Sequence, residues 1–467
     1  MKKLFLNNLG LVIFLPLVIN FFINLFSLDT KVIDLNVYDL LSSLFLFLFL
    51  FSIGYSFKNY NYRFTITFGI ITYLISFFVF ESIILFFNTA SSLQTNFIVI
   101  NIIWLLFFGI QLKNKRLILF ILSSYLVLLS FNNYFYDFLS INLNISGDVK
   151  DVFLSNVTNI YDQSYYYSII NPTMSGYPQF ISYLDALIFK IAINGERYVF
   201  VSSTTFVYYW LFGLMFYELS LKKKNKLLLL FIFSILILNS QWLQFLFTTS
   251  LMSERVVIYI FSGILICLFQ QKEKYIKEIN LIFLLLGFVY LTKQFFSSII
   301  LILFFAFIIK YGKSSLLLLF AFLLKNLTYL SYFKGVPRDH HIRQIDFADT
   351  VLDLLLLRDL ELSNFLIILK NIFIDKPATY LLLITLLVTI LYLLNTKKLS
   401  FEMNVYIFSS FLNFLLVIFL YISVWKNMEL ESPVRYIYNF IPLYMIIIYK
   451  FIEIAEENLS KYIQVRS

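Results

Sequence analysis

The chain has 467 residues, of which 60% are hydrophobic, 20% are aromatic and only 13% are charged, and its formal net charge is +9. A water-soluble domain cannot bury this much apolar surface, so the composition excludes a soluble enzyme and predicts that lipid covers much of the chain. The positive charge does not indicate nucleic acid, because the basic residues lie in short connections between long apolar runs.

The apolar runs predict an all-α polytopic membrane protein with about 14 transmembrane helices. The predicted spans are 4–27, 38–57, 64–87, 96–112, 116–131, 198–220, 227–248, 255–270, 279–292, 295–310, 314–331, 378–395, 403–424 and 434–451. The first run lacks a small-residue cleavage site, so it is interpreted as a retained span rather than a signal peptide.

The lysine-rich connections predict the orientation, because short cytoplasmic loops carry an excess of Lys and Arg. Lys58 follows the second span, and the connection 222–226 holds four lysines. The connections 28–37 and 88–95, on the opposite side, carry one basic residue between them, Lys31. We therefore expect an integral protein of the bacterial inner (plasma) membrane, with both termini in the cytoplasm.

The stretch 178–193 decides the count of crossings. Treating it as a span would place the lysines of 222–226, and every later lysine cluster, on the outside. The stretch also contains Asp185 and Lys190, which are unusual inside a span. It is therefore predicted to be a helix that lies in the outer interface.

These assignments divide the chain into five segments. They are N-terminal transmembrane helices (1–131), an outer loop with an interfacial helix and the candidate catalytic aspartate (132–197), a transmembrane core (198–331), a second outer loop (332–377) and C-terminal transmembrane helices (378–467).

The outer loop that begins at residue 132 is the first long polar segment of the chain. It contains Asp148 and Asp151, and its polar part ends at Tyr177-Pro178. Other polar groups predicted near the same membrane surface are Glu254, Arg255, Lys293, Arg338, Arg343, Arg435 and Tyr436. A carboxylate can take a proton from an acceptor hydroxyl, and cations can stabilise a departing phosphate. The pattern therefore favours a reaction on a lipid phosphate, whereas the short inner loops contain no phosphate-binding motif for a nucleotide.

At these residues the chain resembles the GT-C type of membrane glycosyltransferases, the class that includes protein mannosyltransferases and aminoarabinose transferases. The likeness covers about 132–310 and 425–450. Its features in chain order are Gly147-Asp148-Val149-Lys150-Asp151, Tyr177-Pro178-Gln179-Phe180, Gly195-Glu196-Arg197, Ser253-Glu254, Leu291-Thr292-Lys293-Gln294 and Arg435-Tyr436. The chain departs from the family pattern in four extra spans before the loop and in Gln179, where a second proline is usual.

The resemblance implies a GT-C-like bundle and an inverting transfer at the outer face. The donor would be a sugar on polyprenyl phosphate, the acceptor a lipid or glycan, and Asp148 the base, with Asp151 as the alternative. The implied substrate-binding residues are Glu254, Lys293, Arg435, Tyr436 and Tyr177. Among them, Lys293 and Arg435 would contact the phosphate. The expected partners are membrane lipid and these substrates, with no nucleic acid; no cofactor is expected, although a divalent metal stays open.

Each of these residues also has a purely structural interpretation. Asp148 follows a glycine, a pattern typical of turns. Asp151 could stabilise the start of the next helix through the helix dipole. Lys293 could reach water from the tip of a hairpin, and Arg435 could anchor the last span at the interface.

Two other classes of membrane protein compete with the glycosyltransferase interpretation. A transporter or flippase would carry ionisable groups near the middle of its spans and matching halves, and the predicted span centres are almost free of charge. A glycan polymerase or ligase acting on polyprenyl-linked glycans would place its site in the second outer loop, at Arg338, His341 and Arg343. A purely structural membrane protein would depend on neither set of residues.

Overall fold

A computed structural model describes residues 37–87, 92–112, 115–139, 154–163, 179–192, 201–220, 253–271, 276–291, 296–321, 323 and 400–423, with four single residues between 443 and 449. Within them the chain is almost wholly helical and has no strand, which confirms an all-α protein. The segments long and apolar enough to cross a membrane are Val37–Tyr60, Ile66–Leu85, Leu93–Ile110, Lys115–Tyr134 and Ile299–Leu319. The predicted spans 4–27, 227–248 and 378–395 lie outside the described residues, so the expected total of 14 spans stays a prediction.

Eleven α-helices lie in the described part of the chain and are numbered here in order. They are α1 (Val37–Tyr60), α2 (Ile66–Phe86), α3 (Leu93–Leu112), α4 (Lys115–Tyr134), α5 (Ser155–Asp162), α6 (Gln179–Ala192), α7 (Val201–Ser220), α8 (Ser253–Gln270), α9 (Ile276–Phe288), α10 (Phe296–Tyr311) and α11 (Phe401–Ser423).

The chain divides into two compact units. The first comprises Met1–Lys226 and Gln244–His340 and contains α1 to α10. The second comprises Leu227–Leu243 and His341–Ser467 and contains α11. Helix α11 begins after Ser400, whose hydroxyl oxygen accepts a hydrogen bond from the Met403 N–H at 3.3 Å. A serine in this place satisfies one of the free N–H groups of the first helical turn.

Helix α1 lies at the centre of the first unit and packs against α2, α3, α4 and α7. It approaches α2 closely, because Gly54 and Gly69 face each other where the two helices cross. A Cβ atom added to Gly69 would lie 3.0 Å from the Gly54 Cα atom. Small residues let membrane helices approach closely, and this approach maximises van der Waals contact where lipid provides no hydrophobic driving force.

Helices α3 and α4 cover only one side of this core. Of the apolar window of each, 22% of residues are buried, against 67% for α1 and for α2. Large aliphatic side chains project outward from both helices, among them Ile102 and Leu106 on α3 and Leu119 and Leu126 on α4. A surface of this kind suits contact with lipid chains rather than water.

The helix ends that flank three of the lysine-bearing connections meet on one side of the bundle. Gln270, the last residue of α8, donates to the Glu218 carbonyl oxygen near the end of α7 at 3.1 Å. Gln271 donates to the Arg63 carbonyl oxygen, between α1 and α2, at 2.9 Å. The ends of α1, α7 and α8 therefore share one side, as the predicted topology requires.

Within the stretch 178–193 lies the 14-residue helix α6. Its last residue, Ala192, accepts a hydrogen bond from the Asn132 side chain near the end of α4 at 2.6 Å. Its first turn packs beside Phe78 in the second half of α2, where the Phe180 ring lies 4.6 Å away. Both ends of α6 thus lie toward the ends of α2 and α4, which agrees with an element that does not cross the bundle. Protein covers the helix closely, since residues 180–192 are buried except Lys190.

Helix α10 and the residues that follow it form a hairpin, which packs against α9. Gly312 has a φ of 54°, a left-handed conformation that glycine adopts without strain. The Tyr311 ring packs near Phe283 of α9, whereas Phe320 packs near Phe288, so the chain after Gly312 runs in the direction of α9. The reversal falls between Lys310 and Lys313, where an inner connection is predicted, so the apolar stretch Ile299–Leu319 is long enough to cross a membrane by length and composition only. The span predicted at 314–331 begins instead as a 3-10 helix, Gly312–Leu319.

Candidate functional site at the start of helix α8

Most of the residues that the sequence predicts for the site lie outside the described part of the chain. They are Asp148, Asp151, Tyr177, Lys293, Arg435 and Tyr436, together with Arg338, His341 and Arg343 of the alternative site. Glu254 is the predicted site residue that falls in a described helix, as the second residue of α8. The predicted gathering of these side chains around one cavity therefore stays a prediction.

Described helix boundaries nevertheless fix the chain close to several of these residues. Helix α5 begins at Ser155, four positions after Asp151. Helix α6 begins at Gln179, two positions after Tyr177, as the sequence predicts for a helix opened by Tyr177-Pro178. A 3-10 turn, Val289–Leu291, ends two positions before Lys293, and α10 starts at Phe296. Lys293 itself lies between these two elements, outside the described residues.

Arg255 follows Glu254 directly and is buried in the protein, with 2% of its surface exposed. Its guanidinium group lies over the ring of Tyr208 in α7, 5.3 Å from the ring centroid. It also interacts electrostatically with Asp185 of α6, which is equally buried. The start of α8 is thus held against α7 by its cation, which also attracts the buried Asp185 carboxylate of α6. We refer to Asp185 and Arg255 as the α6–α8 charge pair.

The position of Asp185 is set by the packing of α6. The Tyr183 hydroxyl donates to the Phe77 carbonyl oxygen of α2 at 3.3 Å. On the other side, α5 packs along α6, and the Lys190 ammonium group lies 5.4 Å from the centroid of the Tyr161 ring. An amphipathic side chain such as Lys can bury its stem against a ring in this way while its charge stays near the surface. Helix α6 is therefore held between α2 and α5.

A second polar cluster lies at the opposite ends of α7 and α8. The two carboxylate oxygens of Glu218 accept hydrogen bonds from the backbone N–H groups of Ile66 and Thr67, at 2.5 Å and 2.9 Å. The Lys58 ammonium group lies 4.0 Å from the same carboxylate. Since the first N–H groups of a helix have no intrahelical acceptor, Glu218 completes the start of α2. We refer to these residues as the Glu218 cluster.

A partly exposed ion pair adjoins the Glu218 cluster. The Arg63 guanidinium donates to the Glu278 carboxylate at 2.6 Å, and the Asn61 side chain donates to the same oxygen at 3.2 Å. Both partners lie at helix boundaries, Arg63 before α2 and Glu278 in the first turn of α9. This pair fastens α9 to the connection between α1 and α2.

Other buried polar groups join neighbouring helices. Asn96 of α3 donates to the Glu81 carboxylate of α2. The Ser42 hydroxyl of α1 donates to the Asn132 side chain of α4 at 2.6 Å. In the described residues, no group of three His, Cys, Asp or Glu side chains could hold a metal ion. These contacts account for helix packing and bring no further acid or base to the start of α8.

Sequence reasoning did not find the pairing of Asp185 with Arg255. Asp185 served only as an argument against a span, and Arg255 only as one of several outer cations. The available signal was that each is a single charge within an apolar stretch, and such a charge needs a partner when it is buried. Because Asp185 and Arg255 have opposite charges and are both predicted near the same membrane surface, each is a candidate partner for the other.

No protein-family model, curated protein or solved structure matches this chain.

Proposed function

We propose that the chain is a membrane glycosyltransferase that moves a sugar from a polyprenyl-phosphate donor to a lipid or glycan acceptor at the outer face of the membrane. In this reaction Asp148, or alternatively Asp151, takes the proton of the acceptor hydroxyl. The hydroxyl oxygen bonds to the anomeric carbon as the bond from that carbon to the phosphate oxygen breaks. The lipid phosphate leaves with the electron pair of the broken bond. Because the hydroxyl oxygen attacks from the face opposite the phosphate, the anomeric configuration inverts.

The remaining residues take their roles in the proposal from the resemblance of the sequence. Lys293 and Arg435 would stabilise the charge that develops on the leaving phosphate. Glu254 would be the second acidic residue of the site, and Tyr177 and Tyr436 would line the bound substrate. The protein groups supply positioning and charge stabilisation, and the lipid phosphate supplies the leaving group.

One observation carries the proposal beyond the resemblance. Helix α6, which starts directly after Tyr177-Pro178, packs against α7, and α8, which carries Glu254, packs against the same helix. Two segments that are separated in the sequence, and that the resemblance assigns to one site, therefore adjoin helices that share one neighbour, and this supports the proposal. The side of the bundle also fits, since these elements lie opposite the lysine-bearing connections.

The transfer is tested with the purified full-length chain in lipid nanodiscs. A panel of undecaprenyl-phosphate hexoses and pentoses is supplied with a bacterial membrane lipid extract as acceptor, and release of undecaprenyl phosphate is measured by chromatography. We expect release with one donor class. Replacing the true base, by Asp148→Asn or Asp151→Asn, should lower the rate about 100-fold or more, as expected for loss of a general base. Lys293→Met should lower it to a similar degree, since it removes a stabilising cation.

Asp137→Asn is the matched control, because it removes the same charge from an exposed position early in the same loop. It should leave the rate unchanged. Absence of turnover with every donor would contradict the proposal. Loss confined to Arg338→Ala and Arg343→Ala, with Asp148→Asn and Asp151→Asn active, would instead assign the site to a glycan polymerase or ligase.

The sidedness is tested separately with a single engineered cysteine. In a Cys267→Ser background, Gly147→Cys should react with a membrane-impermeant maleimide added to intact cells whose outer barrier is permeabilised. A cysteine at Asn225 should react only after the inner membrane is opened. The reverse pattern would place the predicted catalytic loop in the cytoplasm and overturn the proposed reaction at the outer face.

A further inference from the structure

Glu81 is an acidic residue buried within a helix that is long and apolar enough to cross the membrane. It lies on α2 with 1% of its surface exposed, and it contacts Asn96 of α3, which is buried to the same extent. One hydrogen bond joins the two side chains, from the Asn96 Nδ2 group to the Glu81 Oε2 atom. The other oxygens of the pair, Glu81 Oε1 and Asn96 Oδ1, are also buried, and neither receives a hydrogen bond from the described residues.

These two unpaired oxygens indicate that the pair lacks one hydrogen atom. A carboxylate has only acceptor oxygens, and the amide oxygen of Asn is also an acceptor, so neither oxygen can satisfy the other. A proton on Oε1 changes this, because a carboxylic acid donates through one oxygen and accepts through the other. Acid and amide groups are both planar and each presents a donor beside an acceptor, so two parallel hydrogen bonds can join them. A single proton would therefore satisfy both buried oxygens.

No cation of the described residues is paired with Glu81. Helix α3 contains no Asp, Glu, Lys or Arg, and Glu81 is the one charged residue of α2. The ion pairs found in the described part of the chain join Glu218 to Lys58 and Glu278 to Arg63. An isolated charge inside protein or lipid is costly, so a neutral acid suits this position better than a carboxylate. The described charged side chains on the other helices packed against α2 are Asp39 and Lys58 of α1, Asp185 and Lys190 of α6, Glu218 of α7, Arg255 of α8 and Glu278 of α9.

The contact with Glu81 helps to attach a helix that has little other buried surface. Only 22% of the apolar window of α3 is buried, and polar side chains can hold such a helix to its neighbour inside a membrane. Three side-chain hydrogen bonds join α3 to α2 within the described residues. They run from Asn96 to Glu81, from the Tyr73 hydroxyl to the Asn101 side chain at 2.9 Å, and from the Trp104 ring N–H to the Ser76 hydroxyl at 2.9 Å. The first of these lies at the start of α3, in its fourth residue.

From this we infer that Glu81 binds a proton in the folded protein and that this proton fastens the start of α3 to α2. With the proton, the acid and the Asn96 amide are joined by two hydrogen bonds. Without it, a buried negative charge lies beside an amide oxygen that has no donor, and the start of α3 loosens. The proton site is independent of the proposed sugar transfer, because it depends only on the contact between α2 and α3.

Infrared difference spectroscopy of the full-length chain in nanodiscs detects the proton directly. At neutral pH, Glu81→Gln should remove a carboxylic-acid carbonyl band from the spectrum of the parent protein and should leave the carboxylate bands unchanged. Glu218→Gln is the matched control, because the Glu218 carboxylate already accepts from two backbone N–H groups and lies near Lys58. It should remove carboxylate bands instead. Loss of carboxylate bands in Glu81→Gln would overturn the inference.

The pH dependence of unfolding tests the same proton through stability. The unfolded chain exposes Glu81 to water, where a Glu carboxyl is ionised at neutral pH. The folded chain then holds one proton more, so its folding equilibrium constant should fall by up to about tenfold for each unit that the pH rises. Glu81→Gln should lose this dependence and keep the stability of the parent at neutral pH, because its amide donates and accepts as the acid does. Equal pH dependence in the parent and in Glu81→Gln would reject the bound proton.

Hydrogen exchange measured by mass spectrometry tests whether the proton fastens α3. At one alkaline pH, the amides of 93–100 should exchange faster in the parent than in Glu81→Gln. Helix α4 is the internal control, because it is buried as little as α3 but is joined to α1 through the hydroxyls of Ser52 and Ser124, which do not titrate. Equal acceleration in α3 and α4 would show general loosening and would overturn the fastening role. Loss of α3 protection when choline replaces sodium would assign the two oxygens to a bound monovalent cation and overturn the proton.

Discussion

The two ends of helices α7 and α8 hold buried charges that are satisfied in different ways. At one end, the Glu218 carboxylate accepts hydrogen bonds from two backbone N–H groups at the start of α2. At the other end, the Asp185 carboxylate interacts with the Arg255 side chain, which also lies over an aromatic ring. Backbone N–H groups thus stabilise the Glu218 carboxylate, whereas a charged side chain stabilises the Asp185 carboxylate.

This difference separates a charge that the backbone requires from a charge that it does not require. Backbone N–H groups at a helix start need an acceptor wherever the helix is buried, so no apolar residue could replace Glu218 without leaving them unpaired. An ion pair between side chains has an apolar substitute, because both charges can be removed together. The backbone at the start of α2 therefore requires an acceptor such as Glu218, whereas Asp185 and Arg255 can be replaced together by apolar residues.

The largest expected effect comes from breaking the charge pair on one side only. Arg255→Met leaves the Asp185 carboxylate buried without its cation, and such a change costs about 3–5 kcal/mol of unfolding free energy. The double replacement with Asp185→Leu should restore most of that loss. Unfolding by denaturing detergent, followed by circular dichroism, measures both variants. A loss below about 1 kcal/mol for Arg255→Met would show that the two side chains are only weakly coupled.

Glu218→Ala tests the other half of the comparison. It leaves the N–H groups of Ile66 and Thr67 without their acceptor. The expected loss is about 2–4 kcal/mol, from about 1–2 kcal/mol for each buried donor. Glu218→Gln keeps one acceptor oxygen and should lose about half as much. If a second substitution, Lys58→Met, restored the stability of Glu218→Ala, the carboxylate would be acting on the lysine rather than on the helix start.

A glycine beside the same helix start sharpens this test. A Cβ atom on Gly54 would lie 2.4 Å from the carbonyl oxygen of Ile66, so Gly54→Ala must push the start of α2 away from α1. Overpacking of this kind costs about 1–3 kcal/mol. Gly109→Ala in α3 is the control, because its nearest neighbour would be the Ile118 side chain at 3.6 Å. That variant should be neutral or stabilised by up to about 1 kcal/mol. Equal effects of both variants in the unfolding assay would exclude close packing as the cause.

The long helices were predictable because each is an apolar run bounded by polar residues, whereas the short polar helix α5 was not. Helix α6 illustrates the reasoning, since its two charges and the lysines of 222–226 together argue against a further span, and the structure forms a helix of 14 residues there. Lys310 and Lys313 likewise predict an inner connection between two apolar runs, and the chain reverses there. In contrast, the sequence does not show that Gly312–Leu319 forms a 3-10 helix, because the same apolar residues suit an α-helix equally well.

The neighbours of the charged residues were not predictable, for a physical reason. Helices α1 and α2 are apolar on every face, so their sequences do not distinguish a face that meets protein from one that meets lipid. Glu218 stands before a lysine run and resembles a solvated helix end; its acceptor role depends on the start of α2, about 150 positions earlier in the chain. Asp185 and Arg255 likewise lie on different helices, so the local sequence around one does not show that the other is near. The predicted catalytic residues near Gly147 and Arg435 lie outside the described residues, so their gathering stays a prediction.

The smallest expected effect concerns the ion pair beside the Glu218 cluster. Arg63 keeps 27% of its side chain exposed, so water and salt screen its attraction to Glu278. Arg63→Met should therefore cost only about 0.2–1 kcal/mol, and the difference from the parent should shrink when the salt concentration is raised to about 1 M. The losses in Glu218→Ala and Arg255→Met should persist at that concentration, because their partners are buried. The unfolding free energies of the three variants at low and high salt rank the three charges by how strongly salt screens each of them. A salt-independent loss in Arg63→Met would mean that this pair is as buried in the membrane as the other two charges, and the contrast between the two ends of the bundle would then rest on hydrogen-bond partners alone.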